Sequence, residues 1–122
     1  IYRSLMSTSE EISAGKSNAI VAYFTIIGCV ITIFMNNDSK NSFASFHIKQ
    51  ALGIHIIYFA TMAIANGFND VESEFIFLSI FSSFLLFNFI LWGYSFISAL
   101  QGKKNLLPFV GEYFQKWFDK LA

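Results

Sequence analysis

Three stretches of the 122-residue chain carry no Asp, Glu, Lys or Arg: residues 19–35, 51–65 and 75–100, the last of them 26 residues long. About 20 apolar residues in a helix cross the hydrocarbon layer of a bilayer, whereas the core of so short a water-soluble chain has no room for this much continuous apolar length. Lipid is therefore the expected solvent. The expected class is an all-α membrane protein, a single domain over residues 1–122 with three transmembrane helices and a C-terminal amphipathic interfacial helix. The 16 phenylalanines and the 13% share of charged residues agree with it. The single cysteine, Cys29, lies inside the first run, which excludes an internal disulfide and points to a shielded, inert thiol.

Rise per residue sets the boundaries. As a helix, residues 19–35 reach about 25 Å, a short span whose ends lie near the headgroups. The second run extends upstream, because Asn41 and Ser42 offer a cap and Phe43, Phe46 and Ile48 continue it; one helix is expected over 42–66. Asn66-Gly67 is the expected stop, since glycine accepts the left-handed backbone that ends many helices. Residues 75–100 are long enough to span with tilt, with Trp92-Gly93 as a place for a kink. Position 1 is Ile, so the first residues of the protein are expected to be missing. No basic stretch with a short apolar core and a small-residue cleavage site is visible, so the first span is read as its own insertion signal.

Basic residues in short loops orient such a chain. With three spans, Arg3 and Lys16 share one side, while Lys40, Lys49, Lys103, Lys104, Lys116 and Lys120 share the other. That distribution predicts an exported N-terminus and a cytoplasmic C-terminus in a bacterial inner membrane. Beyond the third span, Pro108 suits the first turn of a helix over 108–121, whose Phe109, Tyr113, Phe114, Trp117 and Leu121 oppose Glu112, Lys116, Asp119 and Lys120. Such a helix lies flat on the membrane surface, with Lys103, Lys104, Lys116, Trp117 and Lys120 at the headgroups. The same face packed on the bundle is the other reading.

Few residues carry reactive chemistry. His55 stands well inside an apolar run, where an ionisable group is a functional candidate and where a neutral imidazole also serves as a hydrogen-bonding group between helices. His47 lies eight residues earlier, about 80° away on a helix, so the two share no metal-binding face. Asn88 is expected to turn toward another helix rather than face lipid. No nucleophile, base and orienting group come together, no glycine-rich phosphate loop is present, and the basic residues are too scattered for nucleic acid. No enzymatic activity, metal or cofactor is expected.

The heptapeptide from Phe46 through His47, Ile48, Lys49, Gln50 and Ala51 to Leu52 resembles a motif of small multi-spanning proteins related to the twenty-kilodalton component of the chloroplast inner-envelope translocon and its bacterial relatives of unknown function. Residues 17–23 and the segment from Leu107 through Pro108 to Gly111 continue the resemblance, which covers most of the chain. It implies a small helical bundle of the bacterial inner membrane and a non-enzymatic part in protein import or insertion. Four spans are usual in that family, whereas the fourth segment here carries four charges. Phe46, His47, Lys49, Gln50, His55, Asn88, Pro108 and Gly111 are thus the candidate interaction residues. The expected partners are the bilayer and other membrane subunits or further copies of the chain. The leading reading is an accessory or scaffold subunit. A small-solute or ion transporter, acting as an oligomer through His55 and Asn88, is the alternative.

Overall fold

The computed structural model describes residues 8–122, and every regular element among them is helical. In chain order these are α1 (Ser9–Ala22), α2 (Ile26–Ser39), α3 (Ser42–Asn66), α4 (Glu74–Leu100) and α5 (Gly111–Trp117). The first four begin where a side chain caps them. Thr8 and Glu11 form a reciprocal capping box, and the side chains of Thr25, Asn41 and Ser73 accept from the N–H groups of Gly28, Ala44 and Ile76. Each supplies a partner for one of the N–H groups that a helix leaves unbonded at its start.

Helix α3 occupies the expected 42–66, and α4 runs unbroken through Trp92 and Gly93, with no kink there. Both are long and apolar enough to cross a membrane. Gly67 does cap α3, but with φ −64°, in right-handed backbone, so its left-handed freedom is not what ends the helix.

Residues 19–35 do not form one span. Helix α1 ends at Ala22, the backbone turns through residues 23–25, and α2 starts afresh with Thr25 as its cap. The carbonyls freed by the break find donors on other helices: His55 Nε2 donates to Ala22 O (2.9 Å) and Trp92 Nε1 to Tyr23 O (2.7 Å). Such donors are what permits a helix to break in apolar surroundings, where an unbonded carbonyl is costly.

The break folds α1 and α2 into a hairpin against α3. At one end Asn41 Nδ2 donates to Glu11 O and Ser42 Oγ to Glu11 Oε2; at the other, Ala22 meets His55. Helix α1 thus runs alongside α3 to His55, about 20 Å beyond Ser42 at 1.5 Å per residue, and α2 returns to the start of α3. The described N-terminal segment, the α2–α3 turn, the end of α4 and α5 consequently share one end of the bundle, here termed the base. The α3–α4 turn is at the other. An arrangement of three successive crossings with the termini on opposite sides is therefore corrected to a two-helix hairpin with a half-length hairpin beside it.

Packing is concentrated at the base. Gly15, Ala19 and Ala22 let α1 approach α3 closely, and a Cβ on Gly15 would sit 2.1 Å from Asn41 Oδ1. Most of α4 remains uncovered, and Ser79 and Ser83 on its open surface bond back to the carbonyls of Phe75 and Ser79. The expected 108–121 helix contracts to the seven residues of α5, because Pro108 lies in a turn and Phe109 takes left-handed backbone (φ 70°). Its apolar residues also divide. Phe114 is buried against α3, whereas Phe109, Tyr113, Trp117 and Leu121 stay exposed.

Candidate functional site: a polar layer at the base and a cleft below the hairpin tip

His47, on the second turn of α3, has no solvent exposure and makes two hydrogen bonds. Its Nε2 lies 2.7 Å from Lys103 O, a group that only accepts, so Nε2 carries the proton and Nδ1 accepts from Tyr23 Oη at 2.6 Å. Ser98 Oγ donates to the same Lys103 carbonyl and accepts from Asn105 N. One imidazole thus links the α1–α2 break to the chain leaving α4. The edges of Tyr23, Phe43 and Phe46 surround it.

Gln50, one turn further on and equally buried, holds the C-terminal segment by both ends of its amide. Oε1 accepts from Leu107 N (3.2 Å) and Nε2 donates to Gly111 O (2.9 Å). Gly111 is needed for this approach, since a Cβ there would stand 3.0 Å from Gln50 Oε1 and 3.1 Å from the Leu106 backbone. Gln115 Nε2 closes the arrangement by donating to Phe46 O (3.0 Å). The Phe114 ring fills the space that a side chain at Gly53 would need. The two sequence patterns, 46–52 and 107–111, are therefore the two halves of one contact. Pro108 is exposed in the turn between its ends.

Charges ring this layer. Lys49 reaches Asp119 at 3.8 Å, and its half-buried stem lies along the bundle. Glu11 is held below its ordinary value, first by the Ser42 hydroxyl, then by the Thr8 backbone, with Lys104 a smaller contributor. Lys104 is pushed down by partial burial, which the Glu11 charge offsets in part. Lys103, Lys116, Trp117 and Lys120 are exposed around the same end. Arg3 lies outside the described residues.

The polar candidates His55 and Asn88 sit lower down. His55 is committed to the Ala22 carbonyl, and Asn88 Nδ2 donates to Thr61 Oγ1 and to Phe84 O, both at 2.8 Å. Each thus makes the interhelical bond expected of it, and both line a cleft of 610 Å³ between the α1–α2 turn, α3 and α4. Cys29 is buried, its thiol 3.8 Å from Ile48 O. Among the described residues no cluster of His, Cys, Asp or Glu is arranged to hold a metal ion.

Tyr23, Trp92, Ser98 and Gln115 belong to this framework, although their sequence context does not single them out. An aromatic or serine in an apolar run reads as packing until its partner is known. No protein-family model, curated protein or solved structure matches the chain.

Proposed function

We propose that this chain is an integral membrane protein that works without catalysis, as an accessory or scaffold subunit of an inner-membrane assembly. In this reading α3 and α4 cross the bilayer as a hairpin, while α1–α2 enters about half-way and returns to the same face. The division of labour among side chains carries it. His47, Gln50 and Gln115 are each bonded to backbone that they hold in place, whereas the apolar flanks of α2 and α4 are open. Phe34 on α2 and Phe75 on α4 are 74% and 78% exposed, surfaces suited to lipid tails and neighbouring helices.

Charge supports one orientation. All seven lysines belong to the base end, and the turn between α3 and α4 carries Asp70, Glu72 and Glu74 with no basic residue. The bias of basic residues toward the cytoplasm puts the base, with both described ends of the chain, on the cytoplasmic side. The exposed Tyr113 and Trp117 then lie at the headgroup level, where amphipathic rings are favoured, beside Lys116 and Lys120. A place in protein import or insertion rests on the sequence resemblance alone.

The test is extraction of the tagged full chain in mild detergent, with photo-crosslinkers at Phe75 and Phe87 on the open flank of α4. A stoichiometric membrane partner crosslinked from α4 supports the scaffold reading, and a translocation component as that partner extends it to import. A lone homo-oligomer whose solute flux disappears in His55→Phe overturns it in favour of transport.

A further inference from the structure

The cleft below the hairpin tip is walled by aromatic and aliphatic side chains, among them Phe24, Tyr58, Leu85, Phe89 and Trp92. Its volume of 610 Å³ falls within the range of small-molecule sites. His55 and Asn88 line it together with the hydroxyl-bearing Tyr23, Thr25 and Tyr58. Asn88 Nδ2 is bonded to Phe84 O, a carbonyl that only accepts, which fixes the orientation of the amide. Asn88 Oδ1 is left with no donor, in a residue only 6% exposed. His55 Nε2 donates to the Ala22 carbonyl. Six residues of α3 separate His55 from Thr61, the partner of Asn88, which is about 9 Å of helix rise.

A buried acceptor without a donor is costly, and at this depth of a bilayer water does not supply the missing proton. The hydrocarbon tails of phospholipids fill apolar volume but bring no donor. We propose that the cleft binds a membrane-soluble amphiphile bearing a hydroxyl on an apolar body, with the hydroxyl donating to Asn88 Oδ1 and the body lying against Phe89 and Trp92. Oδ1 is closed off as the side chains stand, so the hydroxyl reaches it once lining side chains rearrange. The site rests on the membrane placement of α3 and α4 but on no partner subunit, so it stands or falls separately from the scaffold role.

The experiment uses the full chain in nanodiscs of phosphatidylethanolamine and phosphatidylglycerol, photolabelled with a diazirine-bearing hexadecanol or its methyl ether. The alcohol is expected to label cleft residues about 5-fold more than the ether, the preference that one net hydrogen bond supplies. Asn88→Leu should reduce alcohol labelling to the ether level while Cys29 stays protected from thiol reagents. Leu85→Trp, which fills the cleft and leaves Asn88 in place, should abolish labelling by both probes and decides the matter if Asn88→Leu fails to fold. Equal labelling by alcohol and ether overturns the proposal. So does absence of cleft labelling together with a crosslink from position 85 to a second copy, which makes the occupant a helix.

Discussion

Replacing Gln50 by leucine keeps a side chain of similar bulk in the base and deletes both hydrogen bonds that it makes to the C-terminal segment. If the segment stays in place, Leu107 N–H and Gly111 C=O are left buried without partners. At about 1–3 kcal/mol for each orphaned group, the loss is roughly 2–6 kcal/mol. The segment escapes that penalty by swinging into solvent, but it then exposes Leu107 and Phe114, at about 1.5–3 kcal/mol per side chain, and breaks the bond between Gln115 and Phe46. Both routes therefore cost at least about 2 kcal/mol, equivalent to roughly a 30-fold change in an opening equilibrium. Hydrogen exchange read by mass spectrometry on a peptide covering 107–118 should lose protection by about that factor or more. Peptides from the part of α4 near Asn88 should exchange as before, because Gln50 does not touch it. Protection of 107–118 within about threefold of the parent protein would refute the assignment of Gln50 as the clamp.

Trp92→Phe preserves a ring stacked on Phe96 while removing the donor to Tyr23 O, and should destabilise the protein by about 1–3 kcal/mol; denaturation followed through the exposure of Cys29 measures it, and an unchanged midpoint contradicts the role given to that bond. Gly53→Ala puts a methyl about 2.3 Å from the Phe114 ring, so it should release α5 to proteolysis, and Phe114→Ala should restore protection in the double variant; non-rescue would exclude this contact as the cause. In a Cys29→Ala background, single cysteines at Ser9 and Asn105 should react with an impermeant thiol reagent from one face of sealed vesicles and a cysteine at Asn69 from the other. Reaction of Ser9 and Asn105 from opposite faces would restore three crossings. The carboxyl of Glu11 lies below its ordinary value of 4.5 in the folded chain, so its contribution is present above that pH and is lost as pH falls through the lower folded value; exchange of α1 amides should rise there, and an identical profile in Glu11→Gln would refute the linkage.

The long elements were legible because their signals are local. Asn41 stands where α3 starts, and the continuous apolar runs are long enough to fix α3 and α4 within a residue or two. The break in the first run was not legible from hydropathy, because Tyr23, Phe24 and Thr25 are as compatible with a span as their neighbours. What separates α1 from α2 is a cap from Thr25 and two donors, His55 and Trp92, that lie 33 and 69 residues from the carbonyls they serve. The base layer shows the same limit. His47, Gln50 and Gly111 stand out as a pattern, yet the reason for the pattern is a set of contacts across 56 to 61 residues. Residues 108–121 have helical periodicity, but burial of Phe114 against Gly53 and the turn at Pro108 and Phe109 outweigh it.

The half-length hairpin accounts for the uneven distribution of polar side chains. A helix that crosses the apolar region uninterrupted needs no outside partner for its backbone; α4 has Asn88 as its one amide side chain and bonds Ser79 and Ser83 to itself. A hairpin that turns within that region exposes carbonyls at its tip, and donors must come from the helices beside it. That requirement puts a histidine at position 55 and an indole at 92, and it gives the imidazole a structural role that involves no proton transport. At the base, the carbonyl of Lys103 is held by His47 and Ser98 and the carbonyl of Gly111 by Gln50, which anchors the chain leaving α4 to the start of α3. Polar groups thus fasten the tip and the base, and the flanks of α2 and α4 between them remain apolar. A part with fixed ends and an open greasy flank is suited to being packed against by another subunit.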